Sequence, residues 1–193
     1  MRHKSGQVVY GSGGHLGTVL DPQRVLGEIG VKSGDILLDV GCGGGRFTIP
    51  AAEIVGAGGK VYAFDASEER LAPLKGAITE RVLGNIEAFV DDVAEHISLD
   101  DDWIDVCLMA NVFHELAENG TTKSGLREIR RVLKPRGVLA VVDFRKDAEG
   151  AHGPPPSVRL SPEEIEGVVG EYGFKMERSV HVGPYHYLVV FSA

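Results

Sequence analysis

The stretch Ile36 to Arg46, reading Ile-Leu-Leu-Asp-Val-Gly-Cys-Gly-Gly-Gly-Arg, constrains this chain more than any other. Its apolar run is too short for a buried helix and rich in branched residues, which predicts a strand buried on both faces. A glycine-dense turn follows, and a helix should start there. Glycines let the backbone turn sharply and approach a ligand that side chains would exclude, so a ligand belongs at the C-terminal end of this strand. Gly41, Gly43 and Gly45 give G-x-G-x-G, whereas the dinucleotide fingerprint wants a third small residue where Arg46 stands.

The rest of the chain alternates helices and strands. Asp21-Pro22 is a cap followed by a proline at the first helical position, with Val25, Leu26 and Ile29 on one face and Gly30 as the stop. A helix from Phe47 to Val55 should end in the loop Gly56 to Gly59, and a strand should run from Val61 to Phe64, closed by Asp65. Ser67 caps a helix to about Val82, kinked at Pro73 and ended by Gly84. Strands are expected over 86–90 and 104–109, then a helix over 122–133, then Lys134-Pro135-Arg136-Gly137 leading to a strand over 138–144. Ser161-Pro162-Glu163-Glu164 announces a helix that Gly173 ends. Strands 175–181 and 186–191 are joined by so short a loop that they must be antiparallel neighbours. This rhythm predicts an α/β fold around a mostly parallel sheet.

The 193 residues fit one domain, 1–193. Residues 1–19 are glycine-rich and read as a flexible N-terminal segment, and 145–160, with three consecutive prolines from Pro154, reads as a loop over the active site. A net charge of −8 argues against general affinity for nucleic acid, and Arg127, Arg130, Arg131, Lys134 and Arg136 are explained by a solvated helix face. No apolar run approaches the roughly 20 residues of a membrane span, and the opening Met-Arg-His-Lys lacks the apolar core of a secretory signal. A cytoplasmic protein is expected. Cys42 and Cys107 suit neither a structural disulfide nor a metal site. Oligomeric state has no signal.

The pattern Asp39-x-Gly41-x-Gly43-x-Gly45 after an apolar strand resembles motif I of the class I S-adenosylmethionine-dependent methyltransferases. Asp65-Ala66-Ser67 looks like the second motif of that family, with Arg70 where many relatives carry a methionine against the adenine. Asp92-Val93 is similar to the adenine-binding motif, Asp91 being a competing acceptor. Asp105 to Leu116 resembles the fourth-strand motif, and Leu126 to Val138 the approach to the fifth strand. The flavour is that of the ubiquinone/menaquinone and arsenite methyltransferase group. Arsenite methylation depends on several cysteines, which this chain lacks. The resemblance implies a Rossmann-like doubly wound, seven-stranded sheet whose last strand is antiparallel, with S-adenosylmethionine as cofactor and a small or medium-sized molecule as methyl acceptor.

Asp65 stands 20 residues past Gly45, where a carboxylate can accept hydrogen bonds from both ribose hydroxyls; a helix cap is its bland alternative. The resemblance further implies that the amides after Gly43, with Cys42 in the same turn, receive the methionyl carboxylate, that Asp39 balances its ammonium, and that Asn111 contacts the cofactor beside the transferred methyl. Methyl transfer from a sulfonium needs mainly in-line positioning, and a base only if the acceptor must lose a proton early. His114 is the first candidate for that base or for an orienting group, against a locally satisfied loop histidine, with Glu115 beside it. His152, in the proline-rich loop, is the second. His186 and Tyr185 read as structural residues able to reach the site, and His3, His96 and His181 as background; the resemblance implies that the N-terminal segment, with Tyr10 and His15, folds over the cofactor. Two other readings stand: a cofactor-binding regulatory or partner subunit without turnover, and an NAD-dependent oxidoreductase, which Arg46 and the antiparallel ending disfavour.

Overall fold

The computed structural model describes residues 20–148 and 153–193. Tyr10, His15 and His152 therefore lie outside the described residues. Helix α1 spans Pro22–Ile29; the Asp21 side chain accepts from the Gln23 amide at 3.0 Å, and Gly30 closes the helix at φ 88°. Strand β1 (Ile36–Val40) runs into the glycine turn, helix α2 (Thr48–Val55) leaves it, and strand β2 (Lys60–Asp65) follows. Helix α3 (Glu68–Arg81) begins under the Ser67 cap, runs through Pro73 and stops at Val82, which takes the left-handed conformation at φ 53°. The stop thus falls two residues before Gly84. Strand β3 covers Ile86–Val90 and β4 Ile104–Ala110.

A short helix the sequence reading did not anticipate, α4 (Phe113–Glu118), follows β4, and α5 (Thr122–Val132) packs beyond it. Strand β5 spans Leu133–Phe144 and so starts five residues earlier than the Pro-Gly signal suggested. Leu133 pairs with Ile104 and Val138 with Val106, so Lys134–Gly137 form an irregularity inside the strand and do not precede it. The 145–160 connection contains a 3-10 turn at Pro156–Val158. Helix α6 (Pro162–Gly170) carries the full capping box: Ser161 accepts from the Glu164 amide and Glu164 accepts from the Ser161 amide. Strands β6 (Lys175–His181) and β7 (His186–Ser192) complete the chain.

The seven strands lie in the order β3-β2-β1-β4-β5-β7-β6. All pairings are parallel except those of β7, which is antiparallel to β5 and to β6. Apolar layers cover both faces. Leu126, Ile129 and Val132 of α5 with Ile165 and Val169 of α6 pack on one side, and Val25, Leu26 and Ile29 of α1 with Ala51 and Val55 of α2 on the other. Chain order reverses between β1 and β4, and in an open sheet of this kind the crevice beyond the strand ends at that reversal is where ligands bind.

Candidate active site

That crevice is present as a cleft of about 350 Å³, lined by Gly41, Asp65, Ala66, Arg70, Asp91, Asp92, Val93 and Asn111 among others. Each of these eight residues was singled out by sequence. Of the glycine turn, Gly41 lines the cleft. Gly41 (φ 66°) and Gly45 (φ 84°) are needed for room as well as for backbone angle: a Cβ on Gly41 would lie 2.4 Å from Val112 Cγ2, and one on Gly45 2.6 Å from Leu74 Cδ1. A Cβ on Gly43, by contrast, would meet nothing within 4 Å, so this backbone faces open space. Gly45 therefore serves the close packing of the turn on α3, and Gly43 leaves the approach open.

Asp65 ends β2 and is only 3% exposed. Its Oδ2 accepts from the Gly43 amide at 3.1 Å and its Oδ1 from the Ser67 amide at 2.9 Å, so one carboxylate joins the glycine turn to the start of α3. Each oxygen keeps a further lone pair that can face a ligand in the cleft. On the adjoining wall the Asp91 side chain accepts from the amides of Asp92 and Ser98, and the Asp92 side chain accepts from the Ala94 amide.

Besides Gly43 and Gly45, the motif residues Asp39 and Cys42 are not on the cleft lining. Asp39 is buried in β1 and accepts from the Thr48 hydroxyl at 2.6 Å; burial pushes its carboxyl up to about 7. Cys42 donates its amide to Phe64 O at 3.0 Å, tying the turn to β2, and burial pushes its thiol up and leaves it protonated.

Asn111 holds the left-handed conformation at φ 61°, an uncommon state for a residue with a side chain. Its amide donates to Val142 O at 2.8 Å, and its buried Oδ1 has no partner. The lining after Asn111 comes from Val112, Glu115, Leu116, Asn119 and Thr121, of which the sequence pointed to Glu115 alone as a residue for the site. Val112 and Leu116 are four apart, the spacing of one helical turn, which is the signal that α4 presents them together.

His114 is placed differently from expectation: it is not part of the cleft lining. It stands on α4 and not in a loop, its Nδ1 2.8 Å from Asp143 Oδ1 while its amide donates to Asp143 Oδ2 at 3.0 Å. Burial disfavours the imidazolium, but the hydrogen bond and charge of Asp143, helped by Glu115 and Glu118, outweigh it and raise its pKa. His114 thus fastens α4 to the end of β5. The Phe144 ring lies edge-on to it at 6.1 Å and against His186 at 4.3 Å. Arg159, buried, donates to the carbonyls of Pro154, Arg145 and Ala148 and lies 5.6 Å over Phe144, closing the 145–160 connection onto the sheet end.

These residues suit S-adenosylmethionine. The carboxylate at the end of β2 and the unpaired Asn111 oxygen line the cleft at the chain reversal and suit a polar ligand with hydroxyl and amine donors, and the Gly43 backbone beside Asp65 leaves room for it. Among the described residues no group of His, Cys, Asp and Glu could hold a metal, and no helix is long and apolar enough to cross a membrane. Comparison with known proteins points the same way. Residues 31–172 match a family profile described as "Methyltransferase domain". A ubiquinone/menaquinone biosynthesis C-methyltransferase of a Marinomonas species is 26% identical over 184 residues, covering 79% of this chain and 71% of that protein. A 2-phytyl-1,4-naphtoquinone methyltransferase of Synechocystis is 32% identical over 61% of this chain, which spans about half (48%) of that relative's length. The crystal structure of a SAM dependent methyltransferase from Aquifex aeolicus superimposes with a TM-score of 0.82 at 36% identity, covering 90% of each chain. With motif, sheet order and cleft in agreement, the chain belongs to the S-adenosylmethionine-dependent methyltransferase family.

Proposed function

We propose that this protein transfers a methyl group to a small or medium-sized acceptor that enters over β4, β5 and β7, beside the cofactor cleft. When bound, S-adenosylmethionine supplies an electrophilic methyl on a sulfonium. Asp65 would accept from the ribose hydroxyls, Asp92 from the adenine amine, with Val93 and Arg70 against the ring. Gly41, Cys42, Gly43 and Gly45 shape the turn that receives the methionyl end, above Asp39. Asn111 Oδ1 carries the proposal: a buried acceptor atom without a partner at the cleft is a cost that a ligand N–H or polarised C–H removes. Residues 1–19 and the 145–160 loop would bound the acceptor, within one domain over 1–193.

His114 favours a second reading. Its Nδ1 is held by Asp143 and it lies off the cleft lining, so it serves as a positioning group and not as a base at the reacting centre. A cofactor-binding partner subunit without turnover would look the same. The deciding experiment is calorimetric titration with S-adenosylmethionine, S-adenosylhomocysteine, NAD and NADP, followed by an acceptor panel assayed for S-adenosylhomocysteine release. Micromolar binding of the first two alone is expected; nicotinamide binding would sink the reading, and binding without release from any acceptor would favour the partner subunit.

A further inference from the structure

His186 opens β7 directly opposite Phe144 of β5, at the sheet end where β4 delivers Asn111. It is 6% exposed, its ring packs 4.3 Å from that of Phe144, and neither ring nitrogen has a hydrogen-bond partner. Among the described residues three buried side-chain polar atoms lack partners, and they belong to two residues, Asn111 and His186. Asn111 is tied to Val142 and His186 is paired with Phe144, so the two flank the last residues of β5 on its opposite edges, about 10 Å apart at ordinary strand spacing.

A neutral imidazole carries one donor and one acceptor, and burying both unpaired is costly unless something outside the fold supplies the partners. An ordinary packing histidine would be satisfied, as His114 is by Asp143 a few ångströms away. The groups facing the ring are Asp143, already engaged by His114, and the guanidiniums of Arg46 and Arg159. Burial first, then those two arginines, hold His186 down to about 4, against the pull of Asp143, so at neutral pH one ring nitrogen offers a lone pair. The same arginines oppose a cation at this position.

We propose that His186 is an acceptor-binding residue: the methyl acceptor is a protic molecule without positive charge, and its O–H or N–H donates to the bare ring nitrogen of His186. This rests on the methyltransferase reading and adds to it the chemistry that selects the second substrate. The two unsatisfied residues then stand on either edge of β5: Asn111 lines the cofactor cleft, and His186 lies outside that lining, where the acceptor would meet it.

The test uses the full chain labelled with 15N-histidine, the His186 ring signals being assigned by their loss in His186→Asn. S-adenosylhomocysteine is titrated first into both proteins, then, at saturation, phenol or its O-methylated counterpart anisole. Equal cofactor affinity within twofold is expected for the two proteins. Phenol should shift a His186 ring nitrogen saturably in the wild type, with anisole at least tenfold weaker. Failure of S-adenosylhomocysteine to bind the wild type would remove the methyltransferase reading and this inference with it. Cofactor binding accompanied by no His186 response, or by equal responses to phenol and anisole, would overturn the inference alone, as would a His186 nitrogen already hydrogen-bonded to the protein. Should His186→Asn not fold, His186→Gln supplies the same assignment.

Discussion

Replacing Asp65 with alanine separates two jobs that one carboxylate performs. In the protein alone it accepts from the Gly43 and Ser67 amides at 3.1 and 2.9 Å, and in the complex it is assigned the ribose hydroxyls. Hydrogen bonds to a charged group contribute about 1.5–3 kcal/mol, and an unsatisfied donor costs about 1–3. Asp65 lines an open cleft, so water can enter where the carboxylate was and meet the two amides, and the loss of stability should stay near 1–2 kcal/mol. The hydroxyls of a bound ribose have less access to water. Cofactor affinity should therefore fall by about 1–3 kcal/mol, roughly 5- to 150-fold. Calorimetry with S-adenosylhomocysteine reads the second number and urea unfolding the first. Asp65→Asn keeps one acceptor and should fall between. A variant that loses stability yet binds within twofold of wild type would show that the carboxylate only fastens the turn to α3.

Gly45→Ala should cost about 2–4 kcal/mol in urea unfolding, because a Cβ at 2.6 Å from Leu74 Cδ1 adds overpacking to a strained left-handed backbone; measured against Leu74→Ala alone, the same substitution should cost less, because the contact is gone and the backbone part remains. Asp143→Asn should bring the raised His114 pKa down past its ordinary value, because burial is then opposed only by Glu115 and Glu118, as followed by NMR titration of the ring. The pair's contribution is fully present below the unfolded histidine pKa of about 6.5 and is lost as pH rises through the higher folded value, so the variant should narrow its deficit to wild type in alkaline buffer.

Much of the fold was legible because its signals are local. Asp21-Pro22, Ser67 and the Ser161/Glu164 box each state a helix start within four residues, and all three hold. The glycine turn and the carboxylates at the strand ends were legible for the same reason. What the sequence hid depends on partners far along the chain. Lys134–Gly137 reads as a connection, but the Ile104–Leu133 pairing draws it into β5. Val82 ends α3 in a conformation glycine would normally take, and no local rule prefers it to Gly84. His114 could not be told from a base, because its partner Asp143 lies 29 residues away. His186 shows its missing partners only once β7 is set beside β5.

Two buried groups at this sheet end titrate in opposite senses. Asp39 sits at about 7, above its ordinary 3.8, so the fold holds its proton where the unfolded chain releases it. Stability from Asp39 is full below pH 3.8 and falls by about 4 kcal/mol as pH rises through 7. His186 sits at about 4, below its ordinary 6.5, so the unfolded chain takes a proton the fold refuses. Its contribution is full above pH 6.5 and falls by about 3 kcal/mol as pH drops toward 4. Between pH 4 and 6.5 the two slopes oppose, and the wild-type profile there should be flatter than that of either variant. Unfolding free energies for Asp39→Asn should rise with pH across that window relative to wild type, and those for His186→Asn should fall. The cofactor breaks the symmetry. A cation bound over the glycine turn favours the Asp39 carboxylate, so binding near pH 7 should release up to about half a proton, read as a dependence of calorimetric enthalpy on buffer ionisation enthalpy. That dependence should vanish in Asp39→Asn and persist in His186→Asn; its persistence in Asp39→Asn would place the released proton elsewhere and refute the assignment of Asp39 to the ammonium.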